Sequence, residues 1–268
     1  MTLTTLRLSK SNRNVAYRSK GTGEPLVLIH GVGMQSAAWM PQLDFLAQFC
    51  HVIALDLPGH GQSDPLPVGS QLPDYVSWCR EVFDTFEMGP VNLAGHSMGA
   101  LIAGGLAIEH PSLILRVAAL NGVFRRDEAA RSAVKARAGE IMSGKIDLQK
   151  PLDRWFNDHQ NITRSQVATW LEAVDPEGYS TAYTAFAHGD AAYADHFSEI
   201  ACPFLAITGE DDPNSTPAMT LAMSDQVQDG ESVVIKGHRH MANLTASDEV
   251  NTYLLNWLKR PVRAKEMQ

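Results

Sequence analysis

The sequence predicts an α/β fold, a mainly parallel twisted sheet flanked by helices and interrupted once by a helical insertion. Three observations carry that expectation. Short apolar runs alternate with helical stretches through the first half, and no hairpin turn joins consecutive runs. The rhythm then stops between about residues 123 and 198 and resumes afterwards. Strands joined through helices run parallel, because the crossover returns the chain to the same end of the sheet. With 268 residues, 44% of them hydrophobic, the chain can bury one large core.

The elements follow in order. Residues 25–30 (PLVLIH) form a continuous apolar run ending at glycine, as a strand buried on both faces requires. Residues 39–49 have helical spacing, and 51–55 (HVIAL) make the next strand. Tyr75, Val76, Trp78, Val82, Phe83 and Phe86 give 74–87 one apolar stripe, which predicts an amphipathic helix. The strand 91–94 runs into Gly95-His96-Ser97-Met98-Gly99, and a helix of small residues, 100–109, follows it. Residues 114–120 form another strand. After the break come a strand at 203–208, a helix at 217–228, a strand at 232–235 and a closing helix at 248–258. Inside the break, 125–141, 151–157 and 164–174 read as helices, with no strand-like run. The expected organisation is a sheet domain of residues 1–122 and 199–268 carrying a helical lid at 123–198. Residues 259–268 read as a frayed basic tail.

Composition narrows the function. The formal net charge is −8 and basic residues are scattered, which argues against nucleic acid and against an anionic membrane surface. Cys50, Cys79 and Cys202 lie far apart with no CxxC spacing, so neither a disulfide framework nor a structural zinc site is expected. The first residues contain no apolar signal core, and the most apolar helix, near 98–108, is about half a membrane span. The glycosylation patterns at Asn161, Asn214 and Asn243 then read as incidental. The expectation is a cytoplasmic protein acting on a small molecule, without metal or cofactor.

The Gly95–Gly99 segment has the pattern of a nucleophile elbow. Where a strand turns into a helix within a few residues, a side chain two positions either side of the serine collides with neighbouring backbone, and glycine relieves this. The turn also sets the Met98 N–H at a helix N-terminus, facing developing negative charge. The plainer reading is a glycine-rich turn with a helix-capping serine. A serine nucleophile needs a base, and the base an orienting group. In an open parallel sheet these gather beyond the carboxyl ends of strands. Two such places remain: Gly209-Glu210-Asp211-Asp212-Pro213, with three candidate acids, and Lys236-Gly237-His238-Arg239-His240-Met241, with two candidate bases. The His-x-His pair also suggests a metal, but no further ligands stand nearby at ligand spacing. Gly31-Val32-Gly33 and Gly59-His60-Gly61 do not continue into a nucleotide-binding motif.

Taken together, these segments resemble the α/β-hydrolase fold superfamily, in its serine-nucleophile branch, over nearly the whole chain. The resemblance rests on His30-Gly31-Val32-Gly33 with Trp39, on 56–64 (DLPGHGQSD), on the elbow, on Gly209–Pro213 and on His240-Met241-Ala242-Asn243-Leu244. It implies Ser97 as nucleophile, Asp212 before Pro213 as the acid, and His240 as the base. It also implies the backbone N–H groups of Val32 and Met98 as oxyanion donors, with Gly33 letting the loop approach substrate. His30 and His60 would fasten loops, with Asp56 and Ser63. Some members carry the acid after the earlier strand; here that slot is Asn121, which cannot be an anionic partner. Arg239 stands where the superfamily usually has glycine, which leaves His238 as an alternative base, a residue at the mouth of the site, or an exposed side chain.

The lid segments Asp153-Arg154-Trp155-Phe156 and Pro176-Glu177-Gly178-Tyr179 look like those of 3-oxoadipate enol-lactonase-like hydrolases. Trp155, Phe156, Trp170, Tyr179, Tyr183 and Phe186 are candidate pocket walls, or simply pack lid against core. Arg154 is a candidate partner for a substrate carboxylate, or a surface arginine. The expected activity is hydrolysis of a carboxylic ester or lactone through an acyl-enzyme. Cleavage of a C–C or amide bond, or a perhydrolase reaction, by the same triad is the alternative, and a non-catalytic ligand-binding protein of this fold the third reading.

Overall fold

A computed structural model of the chain describes residues 2–262. Eight strands form one sheet in the order β1-β2-β4-β3-β5-β6-β7-β8. They are β1 (Thr4–Arg7), β2 (Asn14–Lys20), β3 (Pro25–Ile29), β4 (His51–Leu55), β5 (Val91–His96), β6 (Ile114–Leu120), β7 (Phe204–Gly209) and β8 (Gly230–Ile235). β3 to β8 pair in parallel, as the strand–helix rhythm predicts. β1 and β2 are additional to the expected strands, and they pair antiparallel. β1 is mostly polar and largely exposed at the sheet edge, and β2 sets Val15, Ala16 and Tyr17 among polar residues, so neither has the apolar signature of the central strands.

The apolar runs are continuous because each central strand is covered twice. Along β3, Val27 and Ile29 enter one core while Leu26 and Leu28 enter the other, the period of two that a pleated strand imposes. One side is covered by α2 (Leu72–Thr85) and α3 (Met98–Glu109), the other by α1 (Met40–Leu46) and α10 (Ser247–Leu258). α2 begins two residues before the expected start, where the Asp74 carboxylate accepts the Gln71 N–H at 2.7 Å. α3 is buried on nearly every side, which explains its lack of polar residues. α8 (Pro217–Gln226) and the short α9 (Ala242–Thr245) complete this part of the chain.

Between β6 and β7 lie α4 (Glu128–Met142), α5 (Gln149–Trp155), α6 (Asn161–Ala173) and α7 (Pro176–Gly189), and no strand. Asp127 caps α4 through the Ala130 N–H, and Asp175 with Pro176 starts α7. The expected tail at 259–268 needs correction at its start. Arg260 donates to the carbonyls of Phe204 and Asp229, both at 3.0 Å, and so fastens the end of α10 to the sheet. Residues 263–268 of that segment lie outside the described residues.

The chain leaves β3 toward β4 on one side and returns through β5 on the other, since β3 lies between them. The loops after β3 and β5 therefore part at the carboxyl end of the sheet, where a crevice opens.

Candidate active site

Ser97 sits at the tip between β5 and α3 with φ 54 and ψ −114. A non-glycine residue in this region costs about 1–3 kcal/mol and persists only where its surroundings over-determine it. Here the Ser97 N–H donates to Leu120 O at 2.9 Å, and both flanking glycines are enforced. A Cβ on Gly95 would stand 2.0 Å from Gly99 O, and one on Gly99 would stand 2.1 Å from Ile29 O. The turn is thus fixed by close backbone approach on both sides of the serine, with Met98 opening the helix.

Asp212 is buried beyond the end of β7, whereas Glu210 and Asp211 are exposed. Its Oδ2 accepts from His240 Nδ1 and from Asn121 Nδ2, both at 2.8 Å. Its Oδ1 accepts from the backbone N–H groups of Asn214 (2.8 Å) and Ser215 (3.1 Å). Burial alone would raise the carboxyl's pKa. The adjacent His240 and these hydrogen bonds outweigh it and hold the group below the usual carboxylate value. His240 Nδ1 is committed to Asp212, so Nε2 is the free edge of the ring. His238 turns elsewhere: its Nδ1 meets Thr245 Oγ1 at 2.8 Å, and it is absent from the cavity wall.

The loops carrying these groups are held by neutral histidines. His30 accepts the Leu57 N–H at Nε2 (2.9 Å) and donates from Nδ1 to Gly31 O (2.7 Å). His60 accepts the Gly33 N–H at Nε2 (2.9 Å) and donates to Pro58 O. His96, beside the serine, donates from Nε2 to His240 O at 2.8 Å. Burial lowers the pKa of His30 to about 4, and those of His60 and His96 to about 3, so each stays neutral with one donor and one acceptor edge. Asp56 and Ser63 brace the next loop: Asp56 Oδ1 accepts the Ser36 N–H and Ser63 Oγ donates to Asp56 O.

A cavity of about 520 Å³ opens over these groups. Val32, Ser97 and His240 line it from the sheet side, and Arg154, Trp155 and Tyr179 line it from the helical insertion. Gly33 is absent from the wall. At φ 81 it lets the chain pass beneath Leu171 and Tyr179, which a Cβ would strike at 2.4 and 3.1 Å. Trp155 lies over the His240 ring, with centroids 5.7 Å apart and planes at 29°.

Sequence reasoning missed four contributors. Arg126 and Arg137 both reach the cavity. Arg126 is buried, 3.4 Å from Asp190 and stacked 4.4 Å from the Phe186 ring; Arg137 lies over Tyr183. Lys150 also lines the cavity. In sequence they are charges on surface-like helices, and only their convergence distinguishes them. The fourth is Asn121, whose place after β6 marked it only as a missing acid.

Chemically, the arrangement offers a hydroxyl on a strained turn, an imidazole with its far nitrogen tied to a buried carboxylate, and a cationic wall facing both. Residues 26–252 match the alpha/beta hydrolase family. A hydrolase of (E)-2-((N-methylformamido)methylene)succinate from Acinetobacter baylyi is 51% identical over 257 residues, covering 95% of this chain and 97% of that protein. A thermophilic esterase from Thermogutta terrifontis superposes with a TM-score of 0.87 at 19% identity, over 97% of this chain and 98% of the other. The enol-lactonase from Burkholderia xenovorans gives 0.85 at 22% identity, over 96% and 100%. These two likenesses are of fold, whereas the Acinetobacter enzyme is similar along the whole sequence. The chain belongs to the alpha/beta hydrolase family and is a hydrolase.

Proposed function

We propose that this hydrolase cleaves the acyl–nitrogen bond of a small dicarboxylate, a formamide-type derivative of succinate, through an acyl-enzyme on Ser97. The observation that carries the reading is the cavity itself. Ser97 and His240 share it with Arg126, Arg137, Lys150 and Arg154, against only Glu140 and Asp153 of opposite sign. Arg126 is paired with Asp190, but Arg154 has no ion-pair partner among the described residues. Such a wall suits a substrate with two carboxylates. The compound hydrolysed by the Acinetobacter relative has two carboxylates and a formamide, and no ester. This favours the amide alternative over the ester or lactone that the sequence suggests first.

In this reading His240 Nε2 takes the Ser97 proton as Oγ attacks the acyl carbon. Asp212 holds the ring in the required tautomer and stabilises its cation. The N–H groups of Val32 and Met98 receive the oxyanion. The imidazolium then protonates the departing nitrogen, whose lone pair is delocalised into the vinyl group and its carboxylate, and water completes the turnover. Residues 123–198 act as the lid, and the cationic wall holds the dicarboxylate half while the acyl group faces Ser97.

The test is a substrate panel: (E)-2-((N-methylformamido)methylene)succinate, its dimethyl ester, aryl esters of graded length and several lactones. The expected result is highest kcat/KM on the dianion, with Ser97→Ala lowering kcat by at least about 10⁴-fold. A fluorophosphonate should label Ser97 in the wild type. Equal rates for wild type and Ser97→Ala on every compound would overturn the mechanism. Preference for the neutral dimethyl ester over the dianion would overturn the substrate class.

A further inference from the structure

Arg239, the residue in place of the usual glycine, does not simply point to solvent. Its Nη1 donates to the carbonyl oxygens of Asp153 (2.9 Å) and Phe156 (3.0 Å). These carbonyls belong to the last turn of α5 and the residue following it. Helix carbonyls there have no intrahelical donors and carry partial negative charge, so a guanidinium is well matched to them. A second tie lies beside the first, where Asn157 Nδ2 donates to Gly237 O at 2.8 Å. Between the two carbonyls that Arg239 holds is Trp155, the ring stacked on His240. The backbone of Arg239 faces the other way. Its carbonyl accepts from Asn121 Nδ2 at 3.3 Å, the same amide that donates to Asp212.

We propose that Arg239 is a positioning residue that clamps the end of α5 to the His240 loop, holding Trp155 against the imidazole and tying closure of the cavity to the alignment of the base. The proposal rests on the reading of Ser97 and His240 as nucleophile and base. Both bonds come from one guanidinium nitrogen, which a lysine ammonium with three N–H donors can imitate, though without the fixed plane that aims them. Lysine should therefore restore part of the effect, and methionine, with similar bulk and no donor, none.

The experiment compares wild type with Arg239→Gly, Arg239→Met and Arg239→Lys by two readouts. Hydrogen exchange of peptides covering 149–160 is followed against core peptides of β5 and β6. Turnover of (E)-2-((N-methylformamido)methylene)succinate and of 4-nitrophenyl acetate is measured per fluorophosphonate-titrated Ser97, so that unfolded protein does not count. The expected result for glycine and methionine is faster exchange confined to 149–160. With it, kcat should fall roughly 10- to 100-fold on both compounds, as for misaligned catalytic groups, with lysine intermediate. KM for the nitrophenyl ester should change little. Unchanged exchange at 149–160 in Arg239→Gly would overturn the clamp. Faster exchange with unchanged kcat per labelled serine would overturn its link to the base. If the wild type itself shows no Ser97-dependent turnover, the functional reading fails separately, and the exchange measurement alone decides the clamp.

Discussion

The two walls of the cavity are built on different principles. On the sheet side, Ser97, Asp212 and His240 are buried, and their places follow from backbone: a turn with no room for a Cβ at 95 or 99, and a carboxylate accepting four hydrogen bonds. On the insertion side, Arg154 is exposed and Trp155 and Arg137 are half-buried, the latter two placed by ring stacking on His240 and Tyr183. The first wall is fixed by sterics that few substitutions escape. The second wall is tunable, because changing one long side chain leaves the fold in place. In the proposed reading, bond-breaking chemistry sits where the chain is rigid, and choice of substrate where it is adjustable.

The largest test of this contrast is Gly99→Ala. Its added Cβ would meet the Ile29 carbonyl at 2.1 Å, a backbone atom that cannot move aside without breaking β3. A loss of about 3 kcal/mol or more in unfolding free energy is expected, measured by urea titration. A loss below 1 kcal/mol would show the elbow to be compliant, and the contrast would fail.

Acid sharpens it next. Above about pH 7.5, a unit past the ordinary imidazole value, the rings of His30, His60 and His96 are neutral in native and unfolded chains alike. Below that, the unfolded chain takes up protons that the native state refuses until pH falls to about 3–4. Stability therefore falls with pH across this window, and at pH 6 the three together should cost about 2 kcal/mol. Urea midpoints at pH 7.5 and 6 in wild type and His60→Asn measure it. A wild-type midpoint that is flat or rising toward acid would contradict neutral loop-fastening rings.

The smallest effect belongs to the insertion. Arg154→Gln should leave the urea midpoint unchanged and raise KM for the dicarboxylate about tenfold, with kcat nearly constant, as loss of uniform binding does. A kcat loss exceeding the KM change would move Arg154 into the reacting centre.

Much of the sheet side was legible in the sequence because its constraints are local. The spacing Gly95, Ser97, Gly99 is itself the steric requirement, and PLVLIH announces a doubly covered strand. Three adjacent acids at 210–212 and two histidines at 238 and 240 were less decided. Burial and the hydrogen bonds to Asp212 separate them, and those arise from Asn121 and the 213–215 turn, segments apart in the chain. The helix α7, absent from the expected elements, carries its own start signal in Asp175-Pro176, a capping residue followed by proline at the first helical position.

The sequence by itself determined the parallel α/β order, the helical interruption and the serine on its turn, because apolar periodicity and glycine spacing express contacts within a few residues. Only the tertiary structure decided which charges meet the cavity and that Arg239 reaches α5. It also decided that Trp155 covers His240. These pairings join the end of α5 to the loop after β8, some 80 positions on, and Arg239 alone looks there like ordinary surface. A long side chain has many rotamers, and nothing in its neighbours along the chain says which of them a distant carbonyl or ring will select.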